Sequence, residues 1–174
     1  MPEPCDLFIV FDCDNGVEAD FDHFLALDDY GSKLMATARI SGQLGSATGK
    51  HFFLPGLFFE SHARHPFVAV EKRTIPVDVQ YARMEKDDVT YHFPDGYSVE
   101  SNLQATGVPW PNHATMSIKT APVTYGIQIN RTLAYNFTLL DPKDYDSLHD
   151  FYQKVATADQ QQLVLSRAAV AKGN

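Results

Sequence analysis

The sequence predicts a mainly β protein, an antiparallel β-sandwich with one C-terminal α-helix. Three observations predict it. Apolar residues recur with a period of two over most of the 174 residues. Gly, Pro and Asp clusters cut these runs into short segments. The period changes to that of a helix only near the end, around Tyr145.

The elements follow in order. Phe21, His23, Leu25 and Leu27 alternate with Asp22, Phe24 and Ala26, and lead into Asp28-Asp29-Tyr30-Gly31. Leu34, Ala36, Ala38 and Ile40 alternate after it, so the two runs read as a β-hairpin. The Gly-rich piece Gly42 to Gly49 ends the hairpin. His51 to Phe67 is aromatic and irregular, with a turn at Pro55-Gly56, and is predicted to cap one side of the core. Ile75–Tyr81, Asp88–Phe93 and Tyr97–Ser101 read as strands. The last two are parted by Pro94-Asp95-Gly96, where Gly can take a positive φ. Two further strand runs are His113–Thr120 and Val123–Leu139, the second with Ile127, Ile129, Leu133 and Tyr135 at alternating positions.

Asp141-Pro142 then offers an N-cap followed by Pro in the first helical turn. Tyr145, Leu148, Tyr152 and Val155 share one helical face, so a helix is predicted over 142–158. Leu163-Val164-Leu165 reads as a closing strand. The organisation is an acidic lead-in over 1–19, one sandwich module over 20–168 and a frayed tail over 169–174, with no internal repeat.

Composition narrows the function classes. No apolar run approaches the ~20 residues of a membrane helix, so insertion of this chain into a membrane is not expected. The first residues carry acids where a signal peptide needs Lys or Arg. The net charge is -8, and residues 1–32 hold nine acids and no Lys or Arg, leaving 13 acids against 14 bases in the rest. Without a basic stripe to contact phosphates, nucleic acid is not a predicted partner. Cys5 and Cys13 are too far apart along a continuous strand for a disulfide.

Several stretches carry residues suited to chemistry. Leu7-Phe8-Ile9-Val10-Phe11 running into Asp12-Cys13-Asp14 resembles the opening of a haloacid-dehalogenase-type phosphatase. That fold needs a parallel sheet wrapped by helices, which this pattern does not supply, and Asp28-Asp29 reads as a turn, not a distant magnesium pair. Asp12, Asp14, Asn15, Glu18, Asp20 and Asp22 are hard oxygen ligands suited to Ca²⁺, but their spacing is one residue short of an EF-hand and no helices flank them. His62 and His65, with Glu60 beside them and His51 upstream, suit zinc but lack a second ligand pair. The thiols of Cys5 and Cys13 lie among carboxylates that disfavour a thiolate, and no nucleophile elbow or phosphate loop occurs. Trp110, between Pro109 and Pro111, is either a binding anchor or the plug of a sandwich end. The glycosylation sequons at Asn130 and Asn136 fall within a strand run. Accordingly no catalytic, cofactor-binding or metal-ligating residue is assigned, no cofactor is expected, and the chain is not expected to be an enzyme. The alternative is a ligand- or cation-binding sandwich, with Ca²⁺ at Asp12–Asp22 or a transition metal at His62 and His65.

One set of motifs is more specific. Arg73-Thr74-Ile75-Pro76-Val77-Asp78, Tyr91-His92-Phe93-Pro94-Asp95-Gly96-Tyr97, and Leu140-Asp141-Pro142-Lys143-Asp144-Tyr145 with the helix that follows occur in this order. Over residues 20–168 the chain resembles the C-terminal β-rich module of a bacterial family. Members of that family also carry an N-terminal domain of unknown function and a transglutaminase-like domain. The resemblance implies a non-catalytic accessory module that packs against a neighbouring domain or a protein partner. Catalysis would belong to the transglutaminase-like domain, whose Cys, His and Asp signatures are not found in this chain. It also implies an extracytoplasmic location, periplasmic or at the cell surface, as part of a longer exported protein. A domain interface would show as an apolar patch around Phe52–Phe59 or Trp110.

Overall fold

The computed structural model describes residues 17–62, 65 and 67–167. The chain divides into two compact units, residues 1–44 and 45–174. In the first, β1 (Val17–Leu25) and β2 (Met35–Gly42) form an antiparallel ribbon in which Glu18 faces Ser41 and Leu25 faces Met35. A bulge between Phe21 and His23 leaves Asp22 unpaired in the ladder. The turn is fixed by Asp29, whose carboxylate accepts the Ser32 hydroxyl at 2.6 Å and the Gly31 N–H at 3.0 Å. These donors hold the Asp29 carboxyl below its ordinary range, the Ser32 hydroxyl foremost.

The second unit runs β3 (Ser46–Thr48), β4 (His51–Pro55), α1 (Phe58–His62), β5 (Val77–Asp78), β6 (Arg83–His92), β7 (Tyr97–Ser101), β8 (Thr106–Trp110), β9 (Ala114–Val123), β10 (Gly126–Tyr135), β11 (Leu139–Leu140), a 3-10 turn (Pro142–Asp144), α2 (Tyr145–Asp159) and β12 (Gln162–Arg167). Two four-stranded sheets, β6-β10-β9-β8 and β3-β4-β12-β7, dominate it, and β11 pairs with β5. Every pairing is antiparallel. The fold is mainly β and sandwich-like, with the predicted C-terminal helix.

Alternation builds the core. Along β10, Ile127, Ile129, Arg131, Leu133 and Tyr135 are buried, and Met116 and Ile118 of β9 join them. From the other sheet come Leu163 and Leu165, with Leu54 paired to Leu163. Between these strands and solvent lies α2, which buries Tyr145, Leu148, Phe151, Tyr152 and Val155. Each such aliphatic side chain contributes roughly 1.5–3 kcal/mol when fully buried. Among the described residues no helix is long and apolar enough to cross a membrane.

Several expectations change in the structure. The Gly-rich piece after the hairpin contains β3, and the aromatic segment opens with a sheet strand, β4, instead of a cap. Only the end of that segment lies over α2, where the Phe67 ring meets Tyr152 at 4.9 Å. An unforeseen strand, β8, carries Pro109; it is an edge strand, the one place in a sheet where a missing N–H is harmless. The run Ile75–Tyr81 shortens to β5 because Gln80, at φ 66°, turns the chain through a Tyr81 N–H to Val79 C=O bond of 2.8 Å. Asp141 makes no side-chain cap; its carboxylate meets Lys143 at 3.3 Å while Pro142–Asp144 winds as a 3-10 turn. The predicted tail over 169–174 lies outside the described residues, as does residue 168.

Candidate interaction surface and a buried ionic centre

The inward row of β10 places Arg131, only 4 % exposed, in the core. Its Nε donates to Asp159 Oδ1 at 2.7 Å and its Nη2 to Asp159 Oδ2 at 2.8 Å. Nη1 donates to Asp87 Oδ2 at 2.9 Å, and Asp87 stands directly opposite Arg131 in the β6–β10 register. Burial alone would weaken the charge on Arg131, but the hydrogen bonds and charge of Asp159, then of Asp87, push its pKa well above the ordinary value. Glu60 of α1 is pushed up, first by burial and then by the Asp87 charge. His65 is pushed down by burial, although Asp159 Oδ2 lies 3.8 Å from its Nε2. That Nε2 is buried and has no hydrogen-bond partner among the described residues. Beside this centre the hydroxyls of Tyr135 and Tyr152 hydrogen-bond to each other. Tyr91 donates its hydroxyl to Pro55 C=O at 2.7 Å, and burial raises its pKa to about 12.

Chemically this centre is committed to itself. Arg131 spends its fork on two carboxylates, which ties the last turn of α2 to β10 and β6. No sequence motif pointed to Arg131 or Asp159, yet both positions were readable. Arg131 fills the gap in the Ile127, Ile129, Leu133, Tyr135 alternation, and Asp159 lies one turn beyond Val155 on the apolar face of α2.

The residues singled out from sequence are placed as follows. Cys5, Cys13, Asp12, Asp14 and Asn15 lie outside the described residues, as does the side chain of His62. Glu18, Asp20 and Asp22 are exposed on the ribbon. His51 pairs through Nδ1 with Glu100 Oε2 at 2.8 Å on the other four-stranded sheet, whereas His65 joins the ionic centre. Among the described residues no group of three or more His, Cys, Asp and Glu could hold a metal ion.

Trp110 ends β8 half-buried. Its ring stacks on His113 at 4.5 Å and 13°, with the edge of Phe137 at 5.6 Å. The turn between them closes through a His113 N–H to Trp110 C=O bond of 3.0 Å, with Pro111 second and Asn112, at φ 64°, third. Beside it opens a hollow of about 640 Å³ lined by Met84, Pro109, Trp110, Pro111 and Ala134 among others. Met84 is 59 % exposed there, and on α1 Phe59 is 49 % exposed. Neither predicted apolar patch is therefore fully absorbed by the core.

Residues 50–165 match the family described as "Domain of Unknown Function with solved-structure structure", DUF3858. Among solved structures, the fold is similar to a chain described as a "putative protease" from Parabacteroides distasonis ATCC 8503, with a TM-score of 0.50 and 18% identity. That match covers 58% of this chain and 20% of the other, so the shared fold spans about a fifth of the longer molecule. No curated protein matches the chain. The family match extends from β4 almost to the end of β12, and the chain belongs to the DUF3858 family.

Proposed function

We propose that this chain is a non-catalytic accessory module, the C-terminal part of a larger transglutaminase-like protein, and that it packs against or positions a neighbouring domain or protein partner. The observation that carries the reading is the solved neighbour, in which a fold of this kind makes up only a fifth of a longer chain. The apolar hollow beside Trp110 and the exposed side chains of Met84 and Phe59 support it, because a surface of that kind is what a domain interface covers. The ionic centre supports it too, since its charges are spent on one another. The neighbour's description as a protease fits chemistry housed elsewhere in such a polypeptide. The same reading puts the module outside the cytoplasm as part of an exported protein.

The test is the mass of the native polypeptide, read by blotting an extract of the source cells with an antibody raised to this chain. A band at roughly 60–100 kDa, several ordinary domains in size, is the expected result. A band at 19.5 kDa would overturn the proposal.

A further inference from the structure

A second groove, with many polar residues in its walls, runs along the outer edge of β8. Its strand wall is Gln104, Thr106, Gly107 and Pro109; its helix wall is one flank of α2, including Gln153 and Thr157. The groove has a volume of about 1060 Å³. As the last strand of the sheet β6-β10-β9-β8, β8 has one edge without a strand partner among the described residues.

Three features show what that edge offers. Pro109 has no N–H, and a proline fits an edge strand when its nitrogen faces away from the neighbouring strand. The two-residue alternation then turns the N–H and C=O of Gly107 into the groove as well. Gly107 itself has no internal reason to be glycine, since a Cβ built there meets nothing within 4 Å. A strand glycine of this kind marks a place where another backbone comes close. Just before β8, the side-chain amide of Gln161 already acts as a strand would. Its Oε1 accepts the Gln104 N–H at 2.7 Å, and its Nε2 donates to Gln104 C=O at 3.4 Å and to Thr106 Oγ1 at 3.2 Å. One amide thus pairs with both main-chain groups of one residue.

We propose that the groove between β8 and α2 binds an extended polypeptide segment, which adds to β8 as a fifth strand. Main-chain hydrogen bonds to Gly107 and Pro109 supply the pairing, and Gln153 and Thr157 face the added strand from the helix. This is strand addition to an open sheet edge, in which the main chain supplies affinity and the walls supply selectivity. The inference rests on the reading of the chain as an interaction module and names a second place where it would hold a partner.

The test uses the full chain against a displayed library of random decapeptides. Enriched peptides should bind the native chain. They should bind Gly107→Pro roughly tenfold more weakly, the worth of about one main-chain hydrogen bond. N-methylation at alternate peptide residues should weaken binding as much. Should Gly107→Pro fail to fold, Thr157→Trp fills the groove from an exposed helical position and should give the same loss. The inference is overturned if no sequence is enriched, or if enriched peptides bind the folded variants as well as the native chain. Either negative result leaves the accessory-module reading standing if the native polypeptide proves several domains long.

Discussion

Arg131 is the single side chain whose loss should matter most. Replacing it with Met leaves Asp159, 1 % exposed, charged and without its two donors. Removing one partner of a buried pair in this way costs about 3–5 kcal/mol. Urea unfolding of Arg131→Met should show that loss. The double variant Arg131→Met with Asp159→Leu should recover most of it, because the one partner of Arg131 that remains, Asp87, is a quarter exposed and solvent can take the place of the lost donor. A loss of under about 1 kcal/mol for the single variant would mean that water reaches Asp159 and the centre is not dry. The same centre contains a titration signal. Burial depresses the His65 pKa below its ordinary 6.5, so as pH falls through that value the unfolded chain takes up the proton first. Stability contributed by neutral His65 is therefore present above about pH 6.5 and is lost towards lower pH, down to the depressed value. Glu60 acts in the opposite sense: its raised pKa gives stability that is full below 4.5 and is lost as pH rises through the raised value. The difference in unfolding free energy between the native chain and His65→Gln isolates the histidine. It should change across pH 5 to 7 and be level above it; a flat difference would remove His65 from the titration.

At the scale of elements, strand approach sets a sharper limit than propensity. A Cβ on Gly126, at the start of β10, would sit 1.9 Å from the main-chain oxygen of Tyr91 on β6. Backbone cannot yield as a side chain tip does, so Gly126→Ala should cost about 1–3 kcal/mol or more in chemical denaturation. Gly107→Ala, which meets nothing, should be close to neutral. A harmless Gly126→Ala would mean that β10 starts farther from β6 than the register shows. The same contrast explains which elements were legible in the sequence. β10 and α2 declare themselves because their buried positions carry the right period, and the β1–β2 hairpin because its apolar residues alternate on either side of the turn at Asp29. The strands β4 and β8 do not. Phe52 and Phe53 are neighbours of similar apolarity, which hides the period of two in β4. In β8 Pro109 reads as a break unless the strand is known to be an edge, and edges are set by tertiary pairing. The ionic centre was invisible for a related reason: Asp87, Arg131 and Asp159 are distant in sequence and meet only through the β6–β10 register and the docking of α2. The groove beside β8 is hidden in the sequence for the same cause, since its two walls are an edge strand broken by Pro109 and a helix flank with the pattern of a solvated face.

For the whole molecule, the division at residue 44 has a thermodynamic consequence. Every buried apolar side chain among the described residues lies between Leu54 and Leu165, inside the second unit. That unit contains both four-stranded sheets, the helix α2 and the ionic centre, and the family match over 50–165 falls wholly within it. The described part of the first unit is a two-stranded ribbon whose second strand is almost entirely exposed, and an isolated two-stranded hairpin is at best marginally stable in water. Residues 45–174 alone should therefore fold and melt in one cooperative transition, with calorimetric and van't Hoff enthalpies in agreement. A peptide of residues 17–44 should show no cooperative transition by circular dichroism. If the 45–174 fragment instead melts without a transition, the core mapped between Leu54 and Leu165 does not suffice to hold the fold. The ribbon would then have to be counted as part of the folding unit, not as an appendage to the family domain.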